Sequence, residues 1–138
     1  MTLSFVPMPR PADDLQRPGT RARRAVLLAE AREVLEARHR EPALGVDDVA
    51  REIATSRRQL QRVFAELGDG TFRDELAAVR MRRAAALLGT TGAPVNRIAR
   101  EVGYRQAAQF AKAFRRHHGL APTEFRARVR ASGQRRSE

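Results

Sequence analysis

The sequence contains no cysteine, which removes disulfides, thiolate nucleophiles and thiolate metal sites together and fits a reducing compartment. No apolar run approaches the roughly 20 residues of a membrane span. The opening stretch MTLSFVPMPRP has neither a basic n-region nor an adequate apolar region for secretion. A cytoplasmic protein that does not span a membrane is the expectation. Period-two alternation of apolar residues, the mark of a half-buried strand, is missing as well. At 138 residues the chain is one domain, or two very small ones, and has no room for a large enzyme. Acidic residues are scattered over solvated helix faces, and Ser56 is better explained as a helix cap, so no catalytic group assembles and an enzyme is not expected. His117 and His118 are adjacent, a poor chelating spacing on one helix, and His39 is far away, so neither a metal nor another cofactor is expected. Both read as helix-end residues near the negative pole of the dipole, with His118 a candidate for a phosphate contact.

What is abundant is positive charge. Lys and Arg number 27 against 16 Asp and Glu, a formal +11 with a pI of about 11.7, which favours nucleic acid or an anionic membrane surface as partner. Its placement is uneven. Residues 1–76 hold 13 basic and 13 acidic side chains, whereas residues 77–138 hold 14 basic and 3 acidic, so the whole excess lies in the second half.

Apolar periodicity and capping residues divide the chain into seven helices, an all-α fold. Residues 1–19 carry Pro7, Pro9, Pro11 and Pro18 and read as a flexible lead-in. A first helix spans about Thr20 to His39, with Leu27, Leu28, Ala31, Val34 and Leu35 on its apolar face. Gly45 is an acceptable N-cap for a short second helix ending near Ile53, with Asp47 and Asp48 in the first turn. Ser56 followed by Gln59 has the form of a capping box and opens a third helix that ends at Gly68. Thr71 caps a long fourth helix over 71–89, whose apolar stripe is Phe72, Leu76, Val79, Ala84, Leu87 and Leu88. Pro94 in a first turn starts a fifth helix to Val102, a sixth covers about Gln106 to Arg116, and Pro122 opens a seventh to about Arg130. The last residues, 131–138, are expected to fray.

The chain repeats itself. VAREI (49–53) lies over IAREV (98–102) at an offset of 49, and QLQRVF (59–64) over QFAKAF (109–114) at an offset of 50, so one residue is inserted between them. Val49, Ala50 and Ile53 match Ile98, Ala99 and Val102 as core positions, and Leu60, Val63 and Phe64 match Phe110, Ala113 and Phe114. Small Ala50 and Ala99 let the two helices of each unit approach closely. A short helix, a turn and a second helix at this spacing form a helix-turn-helix, whose second helix is the one that enters a major groove.

The segments SRRQLQRVF, GTF, VRMRRAAALL, IAREVGY and QFAKAFRRHHGLAPTEFR together resemble the DNA-binding domain of the AraC/XylS transcription regulators, over about Thr20 to Arg130. The resemblance implies a first helix-turn-helix subdomain over 20–68, a linker helix over 71–89 and a second subdomain over 93–130. One monomer would place both recognition helices on one face of an asymmetric site in double-stranded DNA. The partners it implies are DNA and RNA polymerase, and it suggests an activator located with the nucleoid. No small-molecule domain fits in residues 1–19, so the sequence suits either a stand-alone regulator or the DNA-binding part of a longer one.

On the third helix, Leu60, Val63 and Phe64 point inward, leaving Arg57, Arg58, Gln61 and Arg62 outward. Arginine can bridge guanine O6 and N7, and glutamine can do the same at adenine N6 and N7. The family pattern places Arg58, Gln61 and Arg62 at base-facing positions, and Ser56 and Arg57 are expected toward phosphate. In the alternative, Arg57 and Arg62 both touch only phosphates, which take half or more of protein–DNA hydrogen bonds. The matching stripe on the sixth helix is Ala107, Ala108, Ala111 and Lys112. Base discrimination there falls to Gln106, Gln109 and Lys112, while Arg105, Arg115 and Arg116 supply charge and the three alanines permit close approach. The second unit departs from the family at Arg105 and Ala121, where capping residues are usual. Arg80 and Arg82 on the linker suit either structural ion pairs or a DNA role. Two other functions fit the same composition: an architectural protein that coats or bends DNA with little sequence preference, and a basic bundle that binds an acidic protein partner.

Overall fold

A computed structural model describes residues 18–137. The proline-rich stretch before Pro18 and the final Glu138 lie outside the described residues. Seven helices follow in chain order: α1 Pro18–Arg38, α2 Val46–Glu52, α3 Arg57–Leu67, α4 Phe72–Thr90, α5 Val95–Glu101, α6 Ala107–His118 and α7 Pro122–Ser137. No strand occurs among the described residues.

The helix starts follow the local chemistry with differences of detail. Gly45 N–H donates to Asp48 Oδ2 at 2.9 Å, so an acidic residue in the first turn of α2 satisfies the backbone that glycine cannot. Thr71 and Asp74 form a reciprocal capping box on α4, at 2.9 and 3.2 Å. These bonds hold the Asp74 carboxyl below the usual carboxylate range. At α3 only half of the expected box is present. Ser56 Oγ accepts from Gln59 N–H at 3.1 Å, but the Gln59 side chain accepts from Thr55 Oγ1 instead of reaching back. Pro94 is the N-cap of α5 and lies outside its first turn. The linker helix runs through Gly89 to Thr90, because Thr91 Oγ1 still bonds the Leu87 carbonyl, at 2.6 Å. The tail expected to fray from residue 131 instead continues α7 through Ser137: alanine, glutamine and arginine favour helix there, and one glycine costs only about 1 kcal/mol.

Two apolar cores form, one on each repeat. The first joins Leu28, Ala31 and Leu35 of α1 with Val49 and Ala50, Leu60, Val63 and Phe64, and Phe72, Leu76 and Val79. The second joins Met81, Ala84 and Leu88 with Ile98, Ala99, Val102, Phe110 and Phe114, with Phe125 packed against it. The linker therefore carries two apolar stripes. At 3.6 residues per turn, Phe72, Leu76 and Val79 lie on one side of α4, and Met81, Ala84 and Leu88 roughly half a turn away. The single stripe expected from the sequence is corrected accordingly, since one helix serves two cores on opposite faces.

The turns repeat bond for bond. Ile53 N–H donates to Val49 O and Thr55 N–H to Ala50 O in the first unit; Val102 N–H donates to Ile98 O and Tyr104 N–H to Ala99 O in the second. The residue between them is left-handed in both copies, Ala54 at φ 57° and Gly103 at φ 93°.

Candidate nucleic-acid interface

The side chains left outside the two cores define the candidate surface. On α3, Leu60, Val63 and Phe64 are buried, and Arg57, Arg58, Gln61 and Arg62 are exposed. The exposed four divide between two hollows. Arg58 and Arg62 line a hollow of about 390 Å3 with Ser56 and with Thr20 and Arg23 of α1. Arg57 and Gln61 line a cleft of about 870 Å3 that also takes in Arg73, Arg80 and Tyr104, between the two units.

Pairing separates the arginines further. Arg57 makes an ion pair with Asp47 at 3.4 Å, so its charge is partly answered within the protein. Arg58 and Arg62 have no hydrogen-bond or ion-pair partner among the described residues. Several other arginines of the first unit are engaged, although Arg23 beside them is not. Arg24 pairs with Glu66, Arg38 with Glu41 at 2.6 Å, and Arg32 holds Glu75 through two bonds, at 2.7 and 3.1 Å. Glu75 is buried and also accepts from Asp69 N–H at 3.0 Å, which ties α1 to the α3–α4 turn. The sequence reading missed this pair, because a single Glu in an arginine-rich helix carries no signal until α1 is seen against it. It also missed Thr20 and Arg23, which only the packing of α1 on α3 brings beside Arg58.

On α6, Phe110 and Phe114 are buried, and Gln106, Ala107, Ala108, Gln109 and Lys112 are exposed. Ala111 is partly buried, which reduces its share in any close approach. Arg105, Lys112 and Arg116 lack partners among the described residues, and Arg115 pairs with Glu124 at 3.6 Å. The inserted residue changes the cap. Gln106 is the N-cap of α6, with no side-chain cap bond, so Arg105 precedes the cap position instead of occupying it. His118 is exposed at the end of α6, with its ring packed against Phe114 at 4.4 Å between centroids and Nε2 3.4 Å from the Met81 carbonyl of α4, so it borders the second core. Arg82 pairs with Glu36, the structural alternative of the two open from sequence; Arg80 makes no ion pair and bonds backbone carbonyls instead. No group of His, Asp and Glu able to hold a metal ion occurs among the described residues, and no described helix is long and apolar enough to cross a membrane.

Comparisons with known proteins agree with this architecture. The chain is 33% identical over 91 residues to the regulatory protein SoxS of Escherichia coli K12, covering 66% of this chain and 85% of that one. It is 38% identical over 81 residues to the ornithine utilization regulator of Pseudomonas aeruginosa, covering 59% of this chain but only 24% of that protein. Among solved structures, an AraC-type transcriptional regulator from Chromobacterium violaceum superposes with a TM-score of 0.73 at 30% identity, over 78% of this chain and 96% of that one. The DNA-binding domain of AdpA in complex with a target DNA superposes with a TM-score of 0.68 at 29% identity, over 79% and 94%. A family model described as a helix-turn-helix domain matches residues 49–128, and the chain belongs to the AraC-type helix-turn-helix family of transcription regulators.

Proposed function

We propose that the chain regulates transcription by reading one asymmetric DNA site with two unequal recognition helices, α3 supplying most of the direct base readout and α6 most of the backbone affinity. The observation that carries this reading is the contrast in free side chains. α3 presents Arg58 and Arg62 unpaired beside Gln61, two guanidiniums and an amide that can each make bidentate bonds to a base edge. α6 begins with two exposed methyl groups and is ringed by unpaired Arg105, Lys112 and Arg116, a chemistry suited to phosphates and thymine methyls. The likeness to a domain solved in complex with a target DNA supports DNA binding by this fold. Activation through RNA polymerase and a cytoplasmic, nucleoid-bound location are part of the same proposal. The bare start of α6 keeps an architectural role as the competing reading.

Selection from random duplexes at one fixed salt concentration tests it. A defined asymmetric motif extending over about two helical turns is the expected result. Broad A·T-biased occupancy would favour the architectural protein, and absence of retention the protein-interaction module. Within a defined motif, Arg62→Ala should relax preference at one base pair by about 1–3 kcal/mol, whereas Arg116→Ala should weaken all sequences alike and flatten the salt dependence. A larger loss of specificity from Lys112→Ala than from Arg62→Ala would overturn the division of labour.

A further inference from the structure

The two units have separate apolar cores, yet α4 is not their only connection. Arg80 stands on α4 between Val79, the last residue of the first core, and Met81, the first of the second. Its guanidinium donates from Nε to the His39 carbonyl at 3.0 Å and from Nη2 to the Glu41 carbonyl at 2.8 Å. Both carbonyls belong to the loop between α1 and α2, in the first unit. The same guanidinium lies 5.7 Å from the centroid of the Tyr104 ring, in the turn of the second unit. Gly103, beside it, comes so close that a Cβ there would meet the His39 carbonyl at 2.5 Å and Arg80 Nε at 2.8 Å. One arginine thus gathers the loop of one unit, the turn of the other and the helix between them.

The loop it grips is itself held. The His39 ring is buried, with Nδ1 2.9 Å from the Glu36 carbonyl, and Arg82, two residues further along α4, pairs with Glu36. Burial lowers the Arg80 pKa and raises that of the Tyr104 phenol, but a guanidinium stays charged under all ordinary conditions, so its bonds are charge-assisted ones. Lysine cannot replace the fork, since it is a point charge without the planar pair of donors that reaches two carbonyls together.

We propose that Arg80 is the positioning residue that locks the first helix-turn-helix against the second, and so selects DNA sites with a single spacing between their two half-sites. The proposal rests on the DNA-reading function above. Inserting one base pair between half-sites moves the second by about 3.4 Å and rotates it by about 34°. Two units hinged on α4 alone could follow such a change by bending the joint; two units clasped at a loop, a turn and a helix cannot follow it without breaking the clasp.

Because the chain has no cysteine, two introduced ones can carry spin labels cleanly. Glu33→Cys on α1 and Ala127→Cys on α7 are both exposed. The interlabel distance distribution is measured in the full chain with Arg80 intact, with Arg80→Ala and with Arg80→Lys, each checked by circular dichroism to be folded. A narrow distribution in the parent that broadens in both variants is expected. In parallel, affinities are measured for the selected site and for versions with one base pair added or removed. The parent should prefer the selected spacing by about tenfold or more, and Arg80→Ala should cut that preference to within about twofold while still binding one half-site. Unchanged distance distributions in both folded variants would overturn the clasp, whatever the DNA result. A broadened distribution with undiminished spacing preference would overturn its role in site selection. If the parent retains no DNA, the DNA-reading function fails and the site-selection claim with it, while the distances alone still decide the clasp.

Discussion

The two helix-turn-helix units share a backbone and differ in how each position is filled, most plainly at the turn. Both turns require a left-handed residue between matching hydrogen bonds. The first unit places Ala54 there and accepts the steric penalty of a Cβ in that region. The second places Gly103, and not for local comfort alone, since a Cβ would strike the His39 carbonyl of the other unit. The first turn is exposed and locally strained; the second is buried between units. A position equivalent in the repeat is thus under different constraints, because one copy has a neighbour and the other faces water.

Substitutions can break or sharpen that contrast. Gly103→Ala should be the most damaging, about 2–4 kcal/mol in urea unfolding, from the left-handed penalty plus the clash. A cost below about 0.5 kcal/mol would mean the approach to His39 is not tight. Glu75→Ala comes next. It removes both bonds from Arg32 and the acceptor for Asp69 N–H, and should cost about 1–3 kcal/mol in the same assay. Backbone hydrogen exchange should accelerate in α1 and α3 before α5 and α6, because the second unit has its own polar anchor: Arg126 bonds the Leu88 and Ala93 carbonyls at 3.1 and 2.6 Å. The caps offer a smaller, two-way test. Ser56→Ala should lose about 1 kcal/mol, while Gln106→Ser, supplying the cap that α6 lacks, should gain about 0.5–1 kcal/mol. Equal effects of opposite sign are not required, but a loss from Gln106→Ser would show that the inserted residue has moved the cap geometry as well as its identity. Smallest is Ala54→Gly, where relief of the left-handed strain outweighs glycine's entropy cost by about 0.5 kcal/mol, a gain that thermal unfolding would detect as a raised Tm.

Much of the architecture was legible in the sequence for a physical reason: helix caps and apolar spacing are local, and a repeat doubles the signal. Ser56, Thr71 and Pro122 marked helix starts correctly, and the core pairs Leu60 with Phe110 and Phe64 with Phe114 are buried in both copies. The outward stripe of α3 followed from the inward one. What was not legible depended on partners distant along the chain. His118 read as a helix-end residue within reach of phosphate, and its approach to the Met81 carbonyl became visible only when α6 met α4. Arg105 read as the failed cap, because a one-residue insertion can be placed on either side of the N-cap until backbone geometry locates it at Gln106.

The sequence by itself determined the seven helices, the repeat and the chemical difference between the outward faces of α3 and α6, since helices follow from local spacing and caps and a repeat shows when the chain is laid over itself. Tertiary structure alone decided how α4 serves two cores from opposite sides, which arginines remain unpaired, and that Arg80 reaches across to carbonyls some forty residues earlier. Main-chain carbonyls are present at every position and so leave no mark in a sequence; only the fold determines which of them an arginine finds.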